Sequence, residues 1–198
     1  MTSSFFLTRA LFWSFWTNIL FIVGMAGYLV MDGLDYVRPT AISSSLSGII
    51  YVFLAGIFVV NSFFQLLSIY HTSSSAPRFY TMLFACLFDK LGSYAYFIGA
   101  LLAATAWANS NTIWTFNTVG VCAFAIGAII NMMVRGASAL YPWANTLNLL
   151  AALLYVLAVF ITLAPLPQLI VIFGDFVYVV DAILYTICWF SDRQVTSG

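Results

Sequence analysis

Charge is what this sequence has least of. Only 6% of its 198 residues are Asp, Glu, Lys or Arg, against about 25% in a soluble domain. Glutamate is absent, and Lys90 is the only lysine. So few charges cannot cover the surface of a water-soluble domain, and the six basic residues are too scattered for a nucleic-acid interface.

Metal-binding and catalytic residue types are also scarce. His71 is the only histidine, and Cys86, Cys122 and Cys188 lie singly in apolar runs. A haem with two histidine ligands or a zinc centre therefore cannot be assembled, and neither a GxSxG elbow nor a phosphate-binding loop is present. The sequence predicts no enzyme activity, no metal and no cofactor apart from bound lipid.

What the sequence has instead is long apolar segments. Apolar residues make up 64% of the chain, and a transmembrane helix needs about 20 of them in succession. We predict an all-α polytopic membrane protein: six transmembrane helices in a compact bundle of three hairpins, with residues 1–198 forming one domain. The predicted spans are residues 10–31, 47–70, 81–107, 113–134, 143–164 and 169–190.

The basic residues predict the orientation. Six spans place both termini on one face, and that face collects four of the five arginines, with Lys90 near it. By the positive-inside rule both termini are cytoplasmic. The loop of residues 32–38 is then external, and high hydrophobicity favours the plasma membrane or an endomembrane over the mitochondrion. The arginines on the terminal face are Arg9, Arg78, Arg135 and Arg193.

Short segments recur in different spans. "FVVN" at 58–61 aligns with "YVVD" at 178–181, and "AIIN" at 128–131 is a weaker match. This pattern indicates a hairpin repeated three times. It places Asn61, Asn131 and Asp181 in equivalent positions.

Asp181 is the most informative residue within a span. A carboxylate near a helix centre costs about 2.5–3.5 kcal/mol on insertion scales, so it faces the bundle interior and has a partner. Tyr178 and Tyr185 share its helical face as candidate hydrogen-bond donors, and Lys90 is the candidate cation. Asp181 is either a structural staple or a group that handles protons or cations. Asp175 lies elsewhere around the helix, and we expect it to be wet or paired with another chain.

The other spans have polar seams of their own. Asn61, Asp89 and Asn131 each lie on a stripe of small or polar residues. Such stripes serve close helix packing and interhelical hydrogen bonds, and a binding site is the alternative. Asp32 and Asp35 are spaced to share a helical face, but a solvated loop is the simpler interpretation.

Three functional hypotheses follow. The first is a non-catalytic subunit that packs against lipids, other integral membrane proteins or copies of itself and stabilises a larger assembly, since aromatic residues dominate interface energetics. The second is a small ion- or proton-coupled transporter or channel with a midplane site around Asp181. The third, an enzyme acting on lipids, is weak because Asp32 and Asp35 fall on the opposite side from His71.

Overall fold

The structure is a computed structural model that describes residues 2–71, 79–134 and 138–197, with side chains from 9–71, 79–134 and 138–193. Arg78 and Arg135, which contribute to the predicted orientation, lie outside the described residues. Six helices make up the fold, and no strand occurs in the described part. They are α1 (Thr2–Val37), α2 (Ser44–Tyr70), α3 (Phe79–Thr105), α4 (Ser110–Asn131), α5 (Tyr141–Phe160) and α6 (Leu166–Ser197).

All six helices are long and apolar enough to cross a membrane, which indicates an integral membrane protein and confirms the predicted fold class. Local signals set several helix starts. The Ser43 side chain accepts from the amide of Leu46, and the Asn109 side chain accepts from the amide of Thr112. These caps satisfy amides that the first turn of a helix leaves without partners.

α1 runs past its predicted end. The predicted span stops at residue 31, before the polar residues, whereas the helix continues to Val37. Asp32 and Asp35 therefore belong to the last turns of a helix, and the expectation of a solvated acidic loop is wrong. The helix continues because the Tyr51 hydroxyl of α2 contacts both carboxyl groups.

The helices form a closed ring. Each contacts its neighbours in sequence, and α6 contacts α1; within the described residues no other helix pair is in contact. The Trp189 indole donates to the carbonyl of Leu11, at 2.8 Å, which ties the end of α6 to the start of α1. Both termini thus lie at one end of the ring, called here the terminal face. The other end is the opposite face.

Glycines and aromatic rings interlock between α3 and α4. A Cβ added to Gly92 would lie 2.8 Å from the Phe124 ring, and one added to Gly120 would lie 2.4 Å from the Tyr96 ring. Each ring fills the space that the facing glycine leaves open. The small residues in these spans are therefore required by close helix approach.

One half of this arrangement recurs in the other two hairpins. Gly24 of α1 faces the Phe58 ring, and Gly174 of α6 faces the Tyr155 ring. These recurring contacts between glycines and rings support the predicted repeat of one hairpin. The paired rings have centroids 5.9 Å apart for Tyr28 and Phe58, 5.8 Å for Tyr96 and Phe124, and 5.7 Å for Tyr155 and Tyr178.

The ring positions fix the register of the repeat. Asn61 and Asp181 each follow the paired ring of their helix by three residues, and on α4 that place belongs to Gly127. The predicted equivalence of Asn61 and Asp181 agrees with this register. The inclusion of Asn131 is wrong, because it lies one turn further along α4.

Candidate functional site

A cavity of about 280 Å³ lies within the ring, and every helix contributes to its wall. Its most regular feature is a set of six aromatic side chains, one from each helix. These are the paired rings of the three hairpins, and they are named here the aromatic collar. The collar consists of Tyr28, Phe58, Tyr96, Phe124, Tyr155 and Tyr178.

The polar lining lies on one side of the collar. Successive helices run in opposite directions. On α1, α3 and α5, residues that precede the collar ring in sequence therefore lie toward the terminal face. On α2, α4 and α6, residues that follow the collar ring lie toward that face. Every Asn, Gln, Ser, Thr and Asp in the lining meets this condition. They are Ser14, Thr17 and Asn18 on α1; Asn61, Ser62, Gln65 and Ser68 on α2; Asp89 and Ser93 on α3; Asn131 on α4; and Asn145 and Asn148 on α5.

Asp89 is the acidic residue of the lining. Its Oδ2 accepts a hydrogen bond from Gln65 Nε2 at 2.9 Å. Its Oδ1 lies against Gly127, where an added Cβ would approach within 2.4 Å. Among the described residues the lining contains no Lys, Arg or His. The cavity therefore presents one carboxyl group with no basic side chain beside it.

Asn145 organises the terminal side of the wall. It is 4% exposed, and its Nδ2 donates to the carbonyls of Asn131, at 2.8 Å, and Val134, at 3.0 Å. Its Oδ1 accepts from the Tyr185 hydroxyl at 2.5 Å. One side chain thus holds the end of α4, the start of α5 and the last third of α6 together.

Asn61 offers an unused acceptor to the cavity. It lines the wall, and its Oδ1 is buried without a hydrogen-bond partner. A buried carbonyl without a partner costs about 1–3 kcal/mol. A ligand that donates a hydrogen bond at this position would remove that cost.

Asp181 does not line the cavity. Its side chain is fully buried, and neither carboxyl oxygen has a hydrogen-bond partner. Of the predicted donors, the Tyr185 hydroxyl donates to Asn145. The Tyr178 ring packs against Phe21, with centroids 5.6 Å apart, and its hydroxyl forms no hydrogen bond to Asp181. The expected hydrogen-bonded staple is absent from the described residues.

Lys90 is not the partner of Asp181. It lies on α3, which contacts α2 and α4 but not α6. Its Nζ sits 3.7 Å from the centroid of the Phe63 ring, a cation–π contact. The ring topology separates the two residues, which the sequence could not show.

Asp175 is also placed differently from the expectation. Its side chain is fully buried, not wet, and Oδ1 accepts a hydrogen bond from the Tyr155 hydroxyl. The carboxyl group of Asp32 is a neighbour close enough to interact with it. Asp175 therefore belongs to a polar cluster on the side of the collar that faces away from the termini.

A second recess enters from the opposite face between α2, α3 and α4. It reaches Tyr28 and Tyr96, and these collar residues also line the central cavity. The two spaces are therefore back to back, with collar side chains between them.

Sequence reasoning missed the collar and Tyr51. The collar had a visible signal, because a ring follows a glycine by four residues on α1, α3, α4 and α6. Tyr51 had none, since nothing in its neighbourhood distinguishes it from an interfacial tyrosine. Of the predicted site residues, the structure brings together Asn61, Asp89, Asn131, Tyr178 and Tyr185, and leaves Asp181 and Lys90 outside the lining.

Comparison with known family models, with curated proteins and with solved structures gives no match for this chain. Its function is inferred from the cavity and the side chains around it.

Proposed function

We propose that this protein is a transporter of a small organic cation, which binds in the central cavity beside Asp89. The observation that carries the proposal is the pair of back-to-back spaces inside a closed ring of spans. Tyr28 and Tyr96 take part in the wall of both. Repeat-built transporters likewise hold their solute near the midplane, between two routes of access.

The charge of the lining supports a cationic solute. Asp89 is acidic, and no basic side chain of the described residues lines the cavity with it. A carboxyl group within the membrane needs a cationic or hydrogen-bonding partner, and a bound amine supplies one. The aromatic collar adds ring faces, which attract ammonium groups by about 0.5–2 kcal/mol each.

The size of the cavity supports a small solute. Its volume of about 280 Å³ lies just below the range of ligand pockets, which is about 300–1,000 Å³. Several amides and hydroxyls on the terminal side, including the unpartnered Oδ1 of Asn61, are available for hydrogen bonds. A small amine with a polar substituent fits these features.

A pair of probes that differ only in charge tests the proposal. We expect choline to raise the Tm of the purified protein in nanodiscs, and its uncharged carbon analogue to leave the Tm unchanged. Asp89→Asn removes the effect because the cavity loses its acidic group. Asp181→Asn is the matched control, since it changes a buried carboxyl group that does not line the cavity.

Two results would contradict the proposal. One is the absence of any Tm shift across a panel of small amines and quaternary ammonium ions. The other is loss of the choline effect in Asp181→Asn but not in Asp89→Asn, which would return the site to the carboxyl group that the sequence favoured.

The subunit hypothesis remains a prediction. Large apolar side chains cover the outside of the ring, among them Phe53 and Trp143, but lipid contact accounts for such a surface equally well. Native mass spectrometry after mild extraction tests it. Other polypeptides at fixed ratios would support a subunit, and a mass of 21.9 kDa or a small multiple of it would oppose one.

A further inference from the structure

A chain of acidic and phenolic groups leads inward from the opposite face. The Tyr51 hydroxyl lies 2.5 Å from Asp32 Oδ1 and 3.0 Å from Asp35 Oδ2. A phenol carries one proton, so it donates to one of these oxygens at a time. The other carboxyl group can bond to the same hydroxyl only by donating a proton of its own. The geometry thus suits a site that gains and loses a proton.

The chain continues from Asp32 to Asp175. The two carboxyl groups lie close enough to interact, and Asp175 Oδ2 receives no hydrogen bond from an amide or a hydroxyl group of the described residues. Two adjacent carboxyl groups repel when both are ionised and bond when they share a proton. The Asp175 side chain is fully buried, so the proton it shares comes through its neighbours.

The inner end of the chain is the aromatic collar. Tyr155 donates its hydroxyl hydrogen to Asp175 Oδ1 and also lines the central cavity. The outer end is Asp35, which is partly exposed. The chain therefore spans the distance between the opposite face and the wall of the cavity.

The surroundings suit proton transfer and not cation binding. The groups of α1, α2, α3, α5 and α6 that face the carboxyl pair are tyrosines and Asp35, and no Lys or Arg of the described residues is among them. α4 carries no Asp, Glu, Lys, Arg, His or Tyr. Within the described residues the acidic side chains are not grouped as a metal site. The tyrosines are Tyr28, Tyr51, Tyr96, Tyr155 and Tyr178.

We propose that Asp35, Tyr51, Asp32, Asp175 and Tyr155 form a proton relay between the opposite face and the central cavity. A proton taken up by Asp35 passes to the Tyr51 oxygen while the original hydroxyl proton of Tyr51 moves to Asp32. Asp32 then gives a proton to Asp175, and Asp175 gives one to the Tyr155 oxygen while the original hydroxyl proton of Tyr155 leaves into the cavity. One proton thus enters and one leaves at every step, and each group returns to its starting protonation state. The coupling of this proton to a solute rests on the proposed transport function; the relay itself does not.

Infrared spectroscopy of the protein in nanodiscs tests the relay without any solute. Spectra are compared in an Asp181→Asn background, because Asp181 is a second buried carboxyl group. We expect a band of a protonated carboxyl group that Asp175→Asn or Asp32→Asn removes. Tyr51→Phe retains the band but slows its shift in heavy water several-fold, since the link to Asp35 is cut.

Tyr36→Phe is the matched control, because Tyr36 is an exposed tyrosine next to Asp35 on α1 and is not a member of the relay. Equal exchange rates in the Tyr51 and Tyr36 variants would overturn the relay. So would a band that survives both Asp32→Asn and Asp175→Asn. If either carboxyl variant fails to fold, the exchange rate of the folded Tyr51→Phe protein decides alone.

Proteoliposomes containing a pH-sensitive dye test the coupling. We expect a choline gradient to move protons in the wild type, several-fold more slowly in Tyr51→Phe and not at all in Asp89→Asn. Choline transport that is independent of the pH gradient would overturn the coupling while leaving the proposed function intact. An infrared relay signal in a protein that binds no amine would overturn the proposed function and leave the relay standing.

Discussion

Asp89, Asp175 and Asp181 are the same residue type within apolar spans, yet they have three different surroundings. Asp89 lines the central cavity, Asp175 lies beside Asp32, and Asp181 has no hydrogen-bond partner among the described residues. The difference arises because the residues around each side chain differ. The residue type alone indicates how much free energy it costs to bury a carboxyl group in the membrane. The residues that face the carboxyl group determine which interaction offsets that cost.

Gly127→Ala tests the fit of Asp89 in the wall. The added Cβ would lie 2.4 Å from Asp89 Oδ1, so the carboxyl group must shift from the position in which it accepts the hydrogen bond of Gln65. We expect a loss of about 1–3 kcal/mol in the free energy of unfolding, the range of overpacked interiors, and weaker choline binding.

Gly33→Ala is its control. A Cβ at Gly33 meets nothing within 4 Å, and alanine favours a helix over glycine by up to about 1 kcal/mol. Thermal denaturation in nanodiscs should therefore separate the two variants. Equal stability would show that Asp89 moves without cost.

Asp181→Asn is predicted to fold. The carboxyl group forms no hydrogen bond, so the amide replaces no existing contact. We expect the free energy of unfolding to stay within about 1 kcal/mol of the wild type, the usual worth of one hydrogen bond. Failure of the variant to assemble would show that Asp181 is the staple that the sequence suggested, with a partner outside the described residues.

At the scale of elements, the helices are more continuous than hydropathy predicts. α1 continues through Asp32 and Asp35 because Tyr51 of the neighbouring helix contacts their carboxyl groups. Hydropathy counts these residues as a break, since it treats each side chain as if it faced lipid. A polar residue that faces a polar partner within the ring does not end a span.

Asn145→Ala tests the junction of α4, α5 and α6. The substitution removes the hydrogen bonds of the Asn145 side chain to the carbonyls of Asn131 and Val134 and to the hydroxyl of Tyr185. Each buried group without a partner costs about 1–3 kcal/mol, so we expect a loss at least in that range. Thermal denaturation measures it, and Asn111→Ala, at an exposed residue of α4, is the control. A loss of equal size in both variants would rule out the junction.

At the scale of the molecule, the ring has two ends with different chemistry. Gln65 lines the cavity on the terminal side of the collar, and exposed Ser45 lines the recess on the opposite face. We expect an impermeant thiol reagent to reach Gln65→Cys from the cytoplasmic side and Ser45→Cys from the external side. The experiment needs a background in which the three native cysteines are replaced by alanine.

Choline should slow the labelling of Gln65→Cys and leave that of Ser45→Cys unchanged, because only the first position lies in the proposed site. Labelling of both positions from the same side would contradict a closed collar. Labelling with the sides exchanged would reverse the orientation predicted from the basic residues.

The sequence by itself determined the fold class and the number of spans. These properties follow from the length and apolar content of each segment, because each residue of a span contributes separately to the free energy of transfer into lipid. It also indicated the polar seams that carry Asn61, Asp89 and Asn131. The seams depend on periodicity within a single helix, so they can be predicted without knowing which helices are neighbours.

Only the tertiary structure decided which seams meet. Closure of α6 onto α1 keeps Lys90 away from Asp181, groups the polar lining on the terminal side of the collar and brings Asp175 to Asp32. Helices in lipid associate through shape and a few polar contacts, so their order around the ring is a property of facing surfaces. No single helix encodes that order, and the candidate site exists only once the ring is closed.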